Sequence, residues 1–165
     1  MAVMKAAYEN GADVLNDVSA LEFDSKMAGF ISSTELSVIL MFWKAGGIKE
    51  AKKYLKQRVL FAKKSGIKKE KIILDPGIGF DKSFEENCQL IKNCGDLAFG
   101  GIPVLMALSN KRCIGSMINE NEDSAKRGYG TACANLFAVE SGAKIIRVHD
   151  VKSAIDSLNV MKFLK

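Results

Sequence analysis

The stretch Ala143-Lys144-Ile145-Ile146-Arg147-Val148-His149-Asp150-Val151 decides the fold of this chain. A short apolar run leads straight into an arginine, then the only histidine of the 165-residue sequence, then an aspartate. A buried strand needs no charges at its carboxyl end. A ligand site in a parallel α/β protein does, because side chains from the strand ends converge there. Upstream, four more strand-like runs precede it. At their ends stand Asn16 and Asp17, Met41 and Phe42, Asp75, and Ser109 with Lys111. The recurrence points to one site at one end of a parallel sheet.

The five runs, at 13–15, 37–41, 71–74, 102–107 and 144–148, are rich in Ile, Val and Leu and do not alternate. Strands buried on both faces read this way. Helical patterns lie between them, at 23–31, 48–64, 83–94, 124–141 and 153–164. Ser83 with Glu86 three residues on forms a capping-box signature. Ser65-Gly66 is a C-cap signal for the helix over 48–64. Strand and helix alternate throughout, as in βα units with right-handed crossovers. The chain reads as one domain over residues 1–165, with no linker. Eight βα units need about 250 residues, and this chain has room for five. It also opens on a helical segment, residues 1–10, with Gly11 as C-cap. The pattern therefore fits a five-stranded open sheet or the back part of a larger barrel.

Composition narrows the class. Hydrophobic residues make up 48% and charged residues 26%, as in an ordinary globular protein. No apolar run approaches the roughly 20 residues of a membrane span, and the start lacks a signal-peptide core, so a cytoplasmic protein is expected. Cys88, Cys94, Cys113 and Cys133 form no CxxC pair, and with one histidine a zinc site is not expected. The net charge is +5, with much of the lysine excess between Lys49 and Lys71. There Tyr54, Leu55, Val59, Leu60 and Phe61 are predicted to share one helical face, leaving the lysines on the solvated side. No nucleic-acid motif accompanies them.

The strand-end residues suit a polar ligand with hydrogen-bond donors and negative charge. Asp75 sits in Leu74-Asp75-Pro76-Gly77-Ile78-Gly79-Phe80, where proline and two glycines shape a tight loop. Its carboxylate either accepts a pair of hydrogen bonds from an amino-heterocycle or stabilises the turn. Asn16 offers a donor and an acceptor to such a ligand, or bonds locally to backbone. Lys111 is a point charge for a carbonyl or anion, or a solvated lysine. Arg147 and His149 alternate along the strand end and together suit a phosphate or pyrophosphate, or His149 packs with its ring bonded to a carbonyl. Trp43 and Phe80 stack on a flat ligand or pack. No Walker loop, dinucleotide fingerprint or Gly-x-Ser-x-Gly elbow is present.

These residues resemble the dihydropteroate synthase family of the folate pathway. Ile-Leu-Asp-Pro-Gly-Ile-Gly-Phe, ending at Phe80, resembles its pterin-binding loop. Ile146-Arg147-Val148-His149-Asp150-Val151 resembles its final-strand motif, and Leu15-Asn16-Asp17-Val18 its Asn-Asp strand. Leu108-Ser109-Asn110-Lys111-Arg112-Cys113-Ile114-Gly115 resembles its Ser-Arg-Lys loop. The resemblance implies a (β/α)8 TIM barrel, of which this chain covers the last five βα units, with no counterpart of the first three strands. It implies condensation of 6-hydroxymethyl-7,8-dihydropterin pyrophosphate with para-aminobenzoate, giving 7,8-dihydropteroate and pyrophosphate. By the same resemblance, Asp75 and Asn16 bind the pterin edge and Lys111 reaches its carbonyl side. Arg147 and His149 hold the departing pyrophosphate. Ser109 and Phe80 border the para-aminobenzoate or sulfonamide pocket, and Met41 and Gly79 belong to the pterin slot. Lys111, Arg147 and His149 are the catalytic residues it implies. It also implies a homodimer and Mg2+, whose ligand strand has no counterpart here, so no metal ligand is expected in this chain. The partners are small molecules, with no nucleic acid and no membrane.

The sequence departs from the family pattern at four places. Asn110 stands for an arginine, Ala107 for a glycine, Phe42-Trp43-Lys44 for a His-Met-Gln-type segment, and Asp81 for a glycine. Two other readings share the pterin-edge Asp and Asn: a pterin-binding methyltransferase acting with a corrinoid protein, and a truncated non-catalytic pterin-binding homologue. A methyltransferase has no need of the Arg147–His149 pair. The missing strands favour the third reading for the chain by itself.

Overall fold

The structure, a computed structural model, describes residues 1–164. Helix α1 (Ala2–Glu9) leads to strand β1 (Val14–Asp17), followed by α2 (Met27–Ser32) and β2 (Ser37–Met41). Next come α3 (Ile48–Lys64), β3 (Ile72–Asp75), α4 (Phe84–Lys92) and β4 (Leu105–Met106). Helices α5 (Arg112–Met117) and α6 (Gly128–Glu140), strand β5 (Ile145–Ile146) and α7 (Val151–Leu164) complete it. Every strand pair is parallel: β1 with β2, β2 with β3, and β4 with β5. A parallel bridge from Leu74 to Val104 links the two groups, so the strands lie side by side in chain order. Doubly wound sheets reverse direction at a switch point, whereas barrels run on in order. The architecture is that of the TIM-barrel family, not of an open doubly wound sheet.

The two sheet faces follow from a period of two. Val38, Leu40, Phe42, Ile72, Leu74, Val104, Met106 and Leu108 belong to the main core under the helices. The residues between them turn the other way. Ile39, Leu105 and Ala107, with Ile73 and Ile145 against them, form a separate inner cluster. The register pairs Asn16 with Ile39, and Met41 with Asp75. Asn16, Met41 and Asp75 therefore stand on the inner face, at the carboxyl ends of their strands. The fold brings these three strand-end residues to one face at one end of the sheet.

Several boundaries differ from the sequence reading. Strands β4 and β5 keep only two ladder residues each, so Arg147 and His149 lie past the ladder and strict alternation does not bind them. The helix expected over 124–141 begins as a 3-10 turn, Ser124–Arg127, whose Ala125 N–H is capped by Asp123 at 2.9 Å. Helix α5 has no counterpart in the sequence reading, because its six residues are too few for periodicity to register. Ser83 and Glu86 form the capping box as expected, with bonds of 3.1 and 2.8 Å. On α3 the apolar face needs correcting: Ala51, Tyr54, Leu55, Val59 and Ala62 are buried. Leu60 is 59% exposed and Phe61 39% exposed, the latter covered by the Arg58 guanidinium 4.5 Å from its ring. Position 60 rotates about 100° beyond Val59, off the stripe, while position 61, seven residues after Tyr54, sits at the opposite edge of it.

Candidate active site at the strand carboxyl ends

Asp75 is the centre of the site. It ends β3, is 2% exposed, and accepts from the Gly77 N–H at 2.7 Å. Burial pushes its carboxyl group up from the usual carboxylate range. The Gly77 hydrogen bond and the charges of Arg147, Lys111 and Lys82 pull it the other way. Three cations thus face one carboxylate. Asp81 and Glu86 add negative charge on the Lys82 side.

Arg147 reaches across the mouth. Its Nη1 donates to Asn16 Oδ1 at 3.1 Å, and its Nη2 lies 4.0 Å from Asp75 Oδ2. Three of the residues expected in the site are therefore brought together. Met41 stands beside Asp75 in register and is fully buried. Arg147 itself is about half exposed, open to solvent and ligand.

The loop after Asp75 is built by glycine. Gly77 has φ +68°, and a Cβ there would lie 2.1 Å from the Phe42 carbonyl oxygen. Gly79 has φ +81°, and its N–H donates to Asn87 Oδ1 at 2.7 Å. Both positions need φ above zero, and Gly77 also needs the missing side chain. Asp81 follows at φ +42°, an aspartate in a left-handed conformation that glycine adopts freely. Lys111 folds onto this loop. Its ammonium donates to the Ile78 carbonyl at 2.6 Å and sits 4.8 Å from the Phe80 ring centre. Burial pushes its pKa down, offset by Asp75.

Ser109 and His149 meet differently. The His149 main-chain N–H donates to Ser109 Oγ at 3.2 Å, while the imidazole is exposed. Both line a cavity of about 160 Å³ with Asn110, Thr131, Asn135 and Ser153, between α6 and the start of α7. Arg147 serves Asn16 and Asp75, and His149 serves Ser109, so the two do not share a neighbour in this arrangement.

Three supporting residues are not singled out by the sequence. Lys82 donates to the Phe42 and Phe80 carbonyls, each at 2.9 Å. Asn87 is buried and donates to the Ser83 carbonyl at 2.7 Å while accepting from Gly79. Arg127 is buried and donates to the main-chain carbonyls of Asn110, Glu120 and Asn121 at 2.9, 3.0 and 2.7 Å. Asn110, at φ +55°, also donates from its N–H to Thr131 Oγ1 at 3.1 Å. Lys82 is one lysine among many, and its place two residues past Phe80, beside the capping box, is the available signal. Arg127 carries none, since a lone arginine in a polar run gives no cue to burial.

Among the described residues no three His, Cys, Asp or Glu side chains come together as a metal site. The described residues thus offer no carboxylate cluster for a magnesium ion. Among the described residues no helix is long and apolar enough to cross a membrane.

A buried carboxylate and an amide thus stand either side of the Arg147 guanidinium, with a glycine-shaped loop beside them. The chain belongs to the pterin-binding enzyme family, whose family model matches residues 1–149. It is 33% identical to the dihydropteroate synthase of Streptococcus pyogenes serotype M1, over 97% of this chain and 62% of the relative. It is 34% identical to that of Haemophilus influenzae, over 96% of this chain and 61% of the relative. Its structure is similar to Xanthomonas albilineans dihydropteroate synthase in complex with 7,8-dihydropteroate, with a TM-score of 0.93, 35% identity, and coverage of 99% and 65% of the two chains. The Thermus thermophilus enzyme in complex with 6HMPPP gives 0.90, 34%, 99% and 66%. The chain thus spans about three fifths of the length of the curated relatives it matches.

Proposed function

We propose that this chain carries the pterin and pyrophosphate sites of a dihydropteroate synthase, as one domain corresponding to the last five βα units of the barrel. The observation that supports it most is the buried Asp75 carboxylate facing Asn16, with Arg147 between them. In this reading Asp75 and Asn16 take the amino-pyrimidine edge of the pterin. Met41 and Gly79 border its slot, and Lys111 turns to its carbonyl. Arg147 and His149 hold the pyrophosphate. Ser109 and Phe80 border the para-aminobenzoate.

The reaction breaks the bond between the methylene carbon and the pyrophosphate oxygen, and the electron pair leaves with pyrophosphate. The aryl amine then attacks the methylene carbon and loses a proton. The contribution of these residues is position and charge. Arg147, together with His149, stabilises negative charge gathering on the leaving group. Asp75 fixes the ring whose electrons support the methylene cation.

The same reading includes a homodimer. The surface of α5 and α6 carries the exposed apolar side chains Met117, Ile118, Tyr129 and Phe137, a face of the kind that partner chains cover. Sedimentation velocity tests it, with a dimer boundary expected and a charged residue at Phe137 expected to dissolve it.

Calorimetric titration with a pterin-methyl pyrophosphate analogue tests the pterin reading. Saturable binding by the wild-type chain, abolished in Asp75→Asn, is the expected result. A folded chain with no affinity for the analogue would remove it.

A further inference from the structure

We propose that Lys82 is a positioning residue of the site: its ammonium ties the carboxyl end of β2 to the loop after β3, and so fixes the seat offered to a flat ligand. What the loop seats depends on the pterin reading; the tie itself does not.

Each part of the loop has its own anchor. Asp75 takes the Gly77 N–H, Asn87 takes the Gly79 N–H, and Lys111 donates to the Ile78 carbonyl. Lys82 donates to the Phe80 carbonyl and, with the same ammonium, to the carbonyl of Phe42, 40 residues away. Phe42 lies just past β2, and its own N–H donates to the Asp75 carbonyl at 2.9 Å. The Phe42 peptide is therefore held on both sides, by Asp75 through its nitrogen and by Lys82 through its oxygen. Gly77 packs directly on that same oxygen. The loop meets the chain just past β2 at the Phe42 oxygen, and Lys82 holds that contact.

A cation suits this place. Two carbonyl oxygens converge on it, and the aliphatic stem brings the ammonium over the Phe42 ring at 4.5 Å. Burial pushes the Lys82 pKa down to about 8, with Asp75, Glu86 and Asp81 pulling it up. A neutral or apolar side chain would leave both carbonyls without a charged donor.

Amide hydrogen exchange of the segment 76–83 in the unliganded protein, together with titration of the pterin-methyl pyrophosphate analogue, tests the proposal. In Lys82→Met the exchange of 76–83 is expected to quicken by about tenfold or more, and affinity to fall by a similar factor, while exchange within α3 stays the same. Lys82→Arg keeps a cation with several donors and is expected to restore most of both. Unchanged protection of 76–83 in a folded Lys82→Met would overturn the proposal. Should Lys82→Met give no cooperative melt, Lys82→Arg decides: retained protection supports the tie, and lost protection sinks it. A wild-type chain that ignores the analogue would defeat the pterin reading, while the exchange data would still judge Lys82.

Discussion

Arg147 donates to Asn16 at 3.1 Å, and this bond joins the segment just past β5 to the end of β1. The two residues are 131 positions apart in sequence. A ligand that engages both Asn16 and Asp75 must turn Arg147 aside, and an anion on that ligand gives the guanidinium its new partner. Arg147→Met is expected to weaken binding of a pyrophosphate-bearing pterin by about 100-fold. Binding of the bare hydroxymethylpterin should change by less than about threefold, since only the anion contact is removed. Titrations of both ligands on one preparation make the comparison. Equal losses would take Arg147 out of the anion role.

Asp75 sets function against stability. Its folded pKa is raised by burial above the unfolded value, so ionisation opposes folding. The penalty appears as pH rises above about 3.8, the unfolded value, and is fully present once pH passes the folded pKa. Asp75→Asn removes it. The variant is expected to be more stable than wild type at pH 7 by about 1–2 kcal/mol, yet not to bind pterin. Thermal melts at pH 7 and near pH 4 should show the gain shrinking in acid. A gain that persists unchanged at low pH would exclude ionisation as its source.

Gly77 and Gly100 form a matched pair of tests. Both have positive φ, +68° and +64°, but a Cβ at Gly77 meets the Phe42 oxygen at 2.1 Å and one at Gly100 meets nothing within 4 Å. Gly100→Ala should cost about 1 kcal/mol, from backbone conformation alone. Gly77→Ala should cost at least about 3 kcal/mol or prevent folding, because backbone must move as well. Urea unfolding of the two variants measures the difference, and equal costs would contradict the close approach.

Asp81 holds a left-handed conformation, φ +42°, that glycine adopts freely. Asp81→Gly is expected to stabilise the chain by up to about 1 kcal/mol, since relief of left-handed strain exceeds the added freedom of the unfolded chain. Urea midpoints of the variant and wild type report it. A destabilised variant would mean that the side chain holds the loop in a way its φ does not reveal.

Much of the fold is legible in the sequence because buried parallel strands announce themselves. The run Ser37–Met41 matches the observed strand at both ends, and the pattern over 48–64 matches α3 likewise. That Asn16, Asp75 and Arg147 meet is legible, since polar groups at the carboxyl ends of parallel strands converge. The inner and outer faces are not, because both are apolar and sequence alternation is silent when each side is covered. The short ladders of β4 and β5 are also hidden: their flanking residues, Pro103 and Ala107 among them, read as strand but lie outside the pairing. Lys82, Asn87 and Arg127 escape for another reason. Each acts on main-chain oxygens or N–H groups, and backbone partners leave no complementary residue to find in the sequence.

Arg127 has a consequence for how the site endures changes of acidity. Its guanidinium fastens Asn110 to Glu120 and Asn121 through three peptide oxygens, none of which takes up a proton in water at ordinary pH. An arginine paired with aspartate releases its grip once acid neutralises the carboxylate. This clasp has no such release. Acid should therefore leave the Arg127 clasp on Asn110 intact, and the groups whose charge pH alters are Asp75 and the lysines near it, Lys82 and Lys111.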